Sequence, residues 1–304
     1  MVRRCGNGAS CGRKETSVTK PATRLKSILA RREAVLMPGA PNALFANVIQ
    51  ELGYECAYIT GAGVTNMYLG VPDVGLITMS EMAQHIAVIA DTVNIPLLVD
   101  GDTGFGNPVN TYRTVRTYER AGAAGIQLED QNFPKKCGHF SGKAVIPTDE
   151  MVQKIKAAAD SRQDGDFQII ARTDAIAVNG IEDALERAHR YIEAGADVTF
   201  VEAPENLEDI ARVARELAVP QIFNYVFGGK TPPMDQAKLK EFGFGAGLYA
   251  NAALQAALLS VHNVLGELLK TGSLETVKGQ LASFEMRQNA VRKGDFDAME
   301  KRYT

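Results

Sequence analysis

Eight short β-rich runs, each followed by a stretch of helical periodicity, constrain this chain more than any other feature. The runs are 35–40, 56–60, 97–102, 125–130, 168–174, 198–203, 221–226 and 247–250. Their near-continuous apolar character suits strands buried on both faces, as in parallel sheets. Helical patterns at 42–52, 80–91, 110–121, 148–160, 181–194, 207–217 and 234–242 separate them. Acidic residues open two of these, Ser80-Glu81-Met82 and Thr148-Asp149-Glu150, where the helix dipole favours negative charge. Glycine closes four, at Gly53, Gly122, Gly195 and Gly243. Eight βα units fit an α/β fold of the (β/α)8 TIM-barrel type, whereas a doubly wound sheet usually has six strands. The nucleotide fingerprint of that alternative is also broken, because Gly61-Ala62-Gly63 runs into Val64-Thr65-Asn66 without a third glycine.

The flanks lie outside this alternation. Residues 1–22 are polar and basic, without apolar periodicity, and read as a disordered extension lacking the apolar segment of a secretory signal. Residues 23–304 form one barrel domain with a helical extension from about 252. In that extension Leu254, Ala257, Leu258, Val261, Leu265 and Leu268 recur at helical spacing; this face packs on another subunit or on its own domain.

Composition narrows the function. Thirty-three Lys and Arg against 36 Asp and Glu give a net charge of −3, without the basic excess that nucleic-acid binding needs. No apolar run approaches the roughly 18–20 residues of a membrane span. Four cysteines are too few for a disulfide scaffold and indicate a reducing, cytoplasmic setting.

A barrel keeps its chemistry at the C-terminal strand ends. Those ends carry Tyr58 and Thr60, Asp100 and Asp102, Glu129 and Asp130, Arg172 and Asp174, Glu202, and Asn224. Alternation puts Asp100 and Asp102 on one face and Glu129 and Asp130 on opposite faces. Two carboxylates about 4 Å apart repel by roughly 4 kcal/mol at an effective dielectric of 20. A rim holding Asp100, Asp102, Glu129 and Glu202 therefore calls for a cation, protonation or basic partners. Oxygen-only donors suit a hard ion such as Mg2+, with Mn2+ the next such ion, and Arg172 offers a fork to an anionic substrate. The connection 131–143 is long for a βα loop and reads as an active-site lid. Within it Lys135, Lys136 and His139 surround Cys137, and cationic neighbours favour the thiolate. Cys56, inside an apolar run, reads as core.

These residues resemble the isocitrate lyase/phosphoenolpyruvate mutase superfamily. Lys136-Cys137-Gly138-His139 after Leu128-Glu129-Asp130-Gln131 matches its signature, and three further segments support it: Asp100-Gly101-Asp102-Thr103-Gly104-Phe105-Gly106, Ala171-Arg172-Thr173-Asp174 and Gly70-Val71-Pro72-Asp73. The similarity runs from about Arg24 to the C-terminus. It is greatest to short members such as methylisocitrate lyase, dimethylmalate lyase, oxaloacetate-acting enzymes and carboxyphosphonoenolpyruvate phosphonomutase. The resemblance implies a homotetramer with exchanged terminal helices and a small dicarboxylate substrate. It also implies Mg2+ near Asp100, with Asp73, Asp102 and Glu129 acting mostly through water. Tyr58, Thr60, Gly61, Ala62, Asp100, Gly138, His139, Arg172, Glu202 and Asn224 match substrate-binding positions. Cys137 matches the catalytic acid of the lyases, with Lys136, His139, Arg172 and Tyr58 as further catalytic candidates.

The implied reaction is retro-aldol cleavage of a 2-hydroxy-dicarboxylate to a 2-oxo acid and a second carboxylate. Oxaloacetate hydrolysis or decarboxylation, phosphonate chemistry and a non-catalytic binding barrel are the alternatives. Phe140-Ser141-Gly142 departs from the lyases' usual Arg-Pro-Asn, and Gln255 stands where they place an arginine for a distal carboxylate. Both changes favour a smaller diacid over a tricarboxylate.

Overall fold

The computed structural model of the protein describes residues 19–136 and 142–304. Eight parallel strands form one sheet: β1 (Val35–Ala40), β2 (Ala57–Ile59), β3 (Leu97–Asp100), β4 (Gly125–Glu129), β5 (Gln168–Thr173), β6 (Val198–Val201), β7 (Ile222–Asn224) and β8 (Ala246–Tyr249). They run in the order β6-β5-β4-β3-β2-β1-β8-β7. A parallel bridge between Thr199 and Gln221 joins the two end strands and brings the sheet to a nearly closed barrel. All eight runs expected from the sequence are strands: β1 keeps its expected bounds, β2 to β7 are trimmed by up to three residues where the ends turn into loops, and β8 is shifted one residue earlier.

Strand interiors are buried apart from the half-buried Leu36 and Pro38 of β1, and their two faces feed different cores. Met37, Tyr58, Leu98, Ile170, Phe200 and Leu248 point into the barrel. Ile59, Val99, Ile126 and Ile169 pack outward against the helices. The helix Pro21–Ala30 completes the inner core, with Leu25, Ile28 and Leu29 buried against it. This helix corrects the expected boundary at 22, since Pro21 opens it and Ala22 is already buried. Residues 1–18 of the expected extension, with Cys5 and Cys11, lie outside the described residues.

Capping follows elementary rules. The four expected glycines all take positive φ at helix ends. The helix Met79–Thr92 starts one residue before the expected Ser80, because Thr78 and Glu81 form a reciprocal capping box. Two short segments after β2, Gly61–Val64 and the π-turn Thr65–Leu69, were not legible, being too short to show a period.

The helix Ala252–Thr271 behaves differently. It has the expected apolar period, yet Val264 is its only buried residue. Leu258, Val261, Leu265 and Leu269 are all more than half exposed, so this face does not pack on its own barrel. Its mean hydropathy of 1.3 makes it long and apolar enough, by length and composition, to cross a membrane. That corrects the expectation of no such segment. Gln255, Ser260, His262 and Asn263 interrupt the apolar run, but few charges offset its average.

Candidate active site

The site is built at the C-terminal ends of the strands. Tyr58, Thr60, Ala62, Asp73, Asp100, Glu129, Lys135, Lys136, Arg172, Glu202 and Asn224 all line one cavity. Gly61 adjoins it: a Cβ there would stand 2.8 Å from Asp100 Oδ2 and 3.4 Å from Asp102 Oδ1. Only glycine lets the chain pass this close to the carboxylates. The open space is 40 Å3, so only a compact ligand fits without side-chain movement.

Asp100, the last residue of β3, is held by main-chain donors. Gly61 N–H reaches Oδ2 at 3.2 Å and Asp102 N–H reaches Oδ1 at 3.1 Å. Asp102 follows in the left-handed region at φ 46°, a conformation that a non-glycine residue takes only under constraint. Burial raises its carboxyl to about 6, against the pull of Lys135.

Lys135 is the cation at this end of the site. Its buried Nζ stands 2.6 Å from Asp73 Oδ1 and 2.7 Å from Asp102 Oδ1. Burial works against its charge, but Asp102, Asp100, Asp73 and Glu129 together hold the ammonium firmly protonated. Lys136, the expected catalytic lysine, is exposed and donates instead to the Gly142 carbonyl at 2.9 Å. Its main chain is clamped by Gln131, which donates to Lys136 O at 2.8 Å and accepts from its N–H at 2.9 Å. Adjacent lysines look alike in sequence, and the turn after Pro134 decides which one points inward.

Arg172 forms the opposite wall. β4–β5 register sets it beside Glu129, and β5–β6 register sets it beside Phe200, whose ring lies 5.0 Å from the guanidinium carbon. Its Nε and Nη2 donate to Asp174 at 2.9 and 3.2 Å, its Nε stands 3.4 Å from Glu129, and its Nη1 stands 3.4 Å from Glu202. Asp174 also pairs with Lys143 at 2.6 Å. Burial pushes the Asp174 carboxyl up, but Arg172 and Lys143 override this and hold it at about 2. Strand alternation from Arg172 could have found Asp174 as its partner.

Tyr58 is buried and donates its hydroxyl to Gln127 Oε1 at 2.6 Å. Burial and Asp100 push the phenol well above its ordinary range, so it sits as a neutral donor rather than a ready base. Thr60 caps the helix Gly61–Val64 by accepting from Gly63 N–H, and Asn224 Nδ2 donates to Glu202 at 3.3 and 3.4 Å. Cys137, Gly138 and His139 lie outside the described residues. Cys56 is core, and burial lifts its thiol to about 12. Gln255 is exposed and does not line the cavity; it faces an apolar groove that shares Ala62, Asp73 and Asn251 with it.

Among the described residues, no three His, Cys, Asp or Glu side chains stand close enough to enclose an ion directly. Of the four acidic groups expected at a metal, Asp73, Asp100 and Glu129 line one cavity and Asp102 adjoins it through Lys135, without forming a ready-made cage. Their chemistry still suits a hard cation held through few direct ligands. Glu129 Oε1 is buried with no hydrogen-bond partner, and burial lifts its carboxyl well above the usual range despite Arg172 and Lys135. Mg2+ characteristically keeps several waters beside one or two carboxylates.

The sequence matches the phosphoenolpyruvate phosphomutase profile over residues 25–269. The chain belongs to the phosphoenolpyruvate mutase/isocitrate lyase superfamily. A 2,3-dimethylmalate lyase from Eubacterium barkeri is 46% identical over 236 residues, covering 78% of this chain and 82% of that protein. Among solved structures, an oxaloacetate acetylhydrolase with the inhibitor 3,3-difluorooxalacetate superposes with a TM-score of 0.86 at 35% identity, over 92% of this chain and 95% of that one. A phosphonopyruvate hydrolase with oxalate and Mg2+ gives 0.85 at 30% identity, over 93% and 99%. The superfamily thus includes enzymes of several reaction types on one barrel.

Proposed function

We propose that this protein is a Mg2+-dependent carbon–carbon lyase. Its substrate class is a small 2-hydroxy-dicarboxylate of the 2,3-dimethylmalate type, with the tricarboxylate methylisocitrate as the larger relative, cleaved by retro-aldol chemistry to a 2-oxo acid and a second carboxylate. One observation carries the reading: a compact cavity gathers Asp73, Asp100 and Glu129, with Asp102 joined to them through Lys135, opposite the buried fork of Arg172. The 46% identity to a dimethylmalate lyase supports the reaction type, and the Mg2+ bound with oxalate in a relative supports the metal.

In this reading Asp100, Asp73, Asp102 and Glu129 would hold the ion, Asp100 as the ligand the resemblance implies nearest to it and the others mostly through water. When bound, the ion supplies positive charge for the substrate's 2-oxygen and adjacent carboxylate. Arg172, fixed by Asp174, Glu202 and Glu129, points a second positive charge at the same oxygen. Thr60, Gly61 and Ala62 seat the adjacent carboxylate, Glu202 and Asn224 the far side, and Tyr58 contributes a neutral hydroxyl. Cys137 gives its proton to the carbon released by C–C cleavage, with Lys136, Gly138 and His139 supporting it from the same segment. For 2,3-dimethylmalate the products are pyruvate and propionate.

The exposed apolar face of Ala252–Thr271 supports a homotetramer in which that helix packs on another subunit, and the reading places the enzyme in the cytoplasm. Light scattering giving a monomer would contradict the tetramer. A panel of 2-hydroxy and 2-oxo diacids, assayed with Mg2+ for 2-oxo acid release, tests the reaction itself. Turnover of dimethylmalate that collapses in Cys137→Ser is expected; full turnover by that variant would remove the proposed acid. The likeness to an oxaloacetate acetylhydrolase supports a second reading, hydrolysis of oxaloacetate, which the same panel separates by its products, oxalate and acetate.

A further inference from the structure

A second cavity lies outside the barrel mouth, between the turn after β3 and the start of the helix Thr148–Ser161. It measures 740 Å3, within the usual range for small-molecule sites, and shares no lining residue with the active-site cavity. Leu76, Ile77, Met79, Phe105, Phe133 and Ile146 make most of its wall apolar. At one end stands Lys154, 5% exposed. Its Nζ donates to the Thr103 carbonyl at 3.2 Å, and its nearest carboxylate, Glu150, is 3.9 Å away and half in solvent. An ammonium has three donors, and one carbonyl with one distant carboxylate is thin compensation for a buried charge. Burial accordingly pulls Lys154 below its ordinary range, with Glu150 opposing only in part.

We propose that this cavity binds a monocarboxylate with a medium-length aliphatic chain. The carboxylate pairs with Lys154 and the chain lies along Met79, Phe105 and Phe133. Charge complementarity selects an acid over an alcohol, and the apolar wall selects a chain over a small inorganic anion. The site borders the catalytic machinery on two sides. Thr103, whose carbonyl holds Lys154, directly follows Asp102; Gln131, on the cavity wall, clamps the main chain of Lys136. An occupant would press on both segments.

The test is octanoate binding to the full-length protein by calorimetry, with octanol as control. Octanoate binds wild type and octanol binds at least tenfold more weakly. Lys154→Met lowers octanoate affinity at least tenfold and melts no earlier than wild type, since it removes a poorly compensated charge. Arg172→Lys, which keeps a cation beside Asp174, Glu129 and Glu202 but removes the fork from the active site, retains octanoate binding, which separates this site from the proposed catalytic one. Should Lys154→Met fail to fold, Met79→Trp fills the cavity and decides in its place. Equal affinity in Lys154→Met or Met79→Trp, loss in Arg172→Lys, or no binding by wild type overturns the proposal.

Discussion

Glu129 and Asp130 are neighbours at the end of one strand, both buried acids, and they do opposite things. Asp130 points away from the site into a satisfied network. It accepts from Thr173 and Tyr191 hydroxyls at 2.7 and 2.8 Å, from Asp174 N–H at 3.0 Å, and from Arg187 at 3.3 Å. Glu129 points into the cavity with Oε1 unpartnered and only long contacts, 3.4 Å each, from Gln127 and Arg172 to its other oxygen. Burial raises both carboxyls. One burial is compensated by the protein alone; the other leaves an acceptor that a ligand must complete. Satisfaction, rather than burial or charge, separates a structural acid from a functional one here.

Substitutions can break that contrast. The largest effect belongs to Asp130→Ala, which leaves the Thr173 and Tyr191 hydroxyls and the Asp174 N–H without their buried acceptor and Arg187 with Asp183 as its remaining carboxylate, and is expected to lower stability by about 3–5 kcal/mol; denaturant unfolding measures it. Glu129→Gln should leave the unfolding midpoint unchanged or higher while lowering kcat/KM by about 10²–10³-fold. A destabilised Glu129→Gln or a stable Asp130→Ala would erase the distinction. Next comes acid stability. The carboxyl of Asp174 lies at about 2 in the fold against 3.8 ordinarily. A depressed carboxyl stabilises the fold above its unfolded value, and that stability fades as pH falls from about 4 toward 2. The contribution is about 2 kcal/mol, and Asp174→Asn should flatten unfolding free energy across that window. The smallest effect is Lys136→Met, within about 0.5 kcal/mol on stability as for other exposed positions, whereas Lys135→Met should alter the Mg2+ affinity measured by calorimetry.

The same contrast explains what the sequence could carry. Strand alternation separates Glu129 from Asp130 correctly, because a period of two needs no tertiary knowledge. The eight strands and seven long helices were legible for the same reason, as was the gathering of Asp100, Glu129, Arg172, Glu202 and Asn224 at strand ends. Lys135 was hidden behind Lys136, because a turn, not a period, orients it. The helix Pro21–Ala30 is absent from the sequence reading altogether, because it lies beside a polar stretch and shows its apolar face for only a few turns. The exposed face of Ala252–Thr271 could be seen as apolar, but nothing within one chain says what covers it.

The most direct measurement is product identification by proton NMR on 2,3-dimethylmalate, with Mg2+ and after its removal by EDTA, for wild type and Asp100→Ala. Equal amounts of pyruvate and propionate from wild type with Mg2+, and none after EDTA or in Asp100→Ala, is the predicted result. Turnover indifferent to both, or no cleavage of any 2-hydroxy diacid while oxaloacetate yields oxalate and acetate, would contradict the assignment as a carbon–carbon lyase.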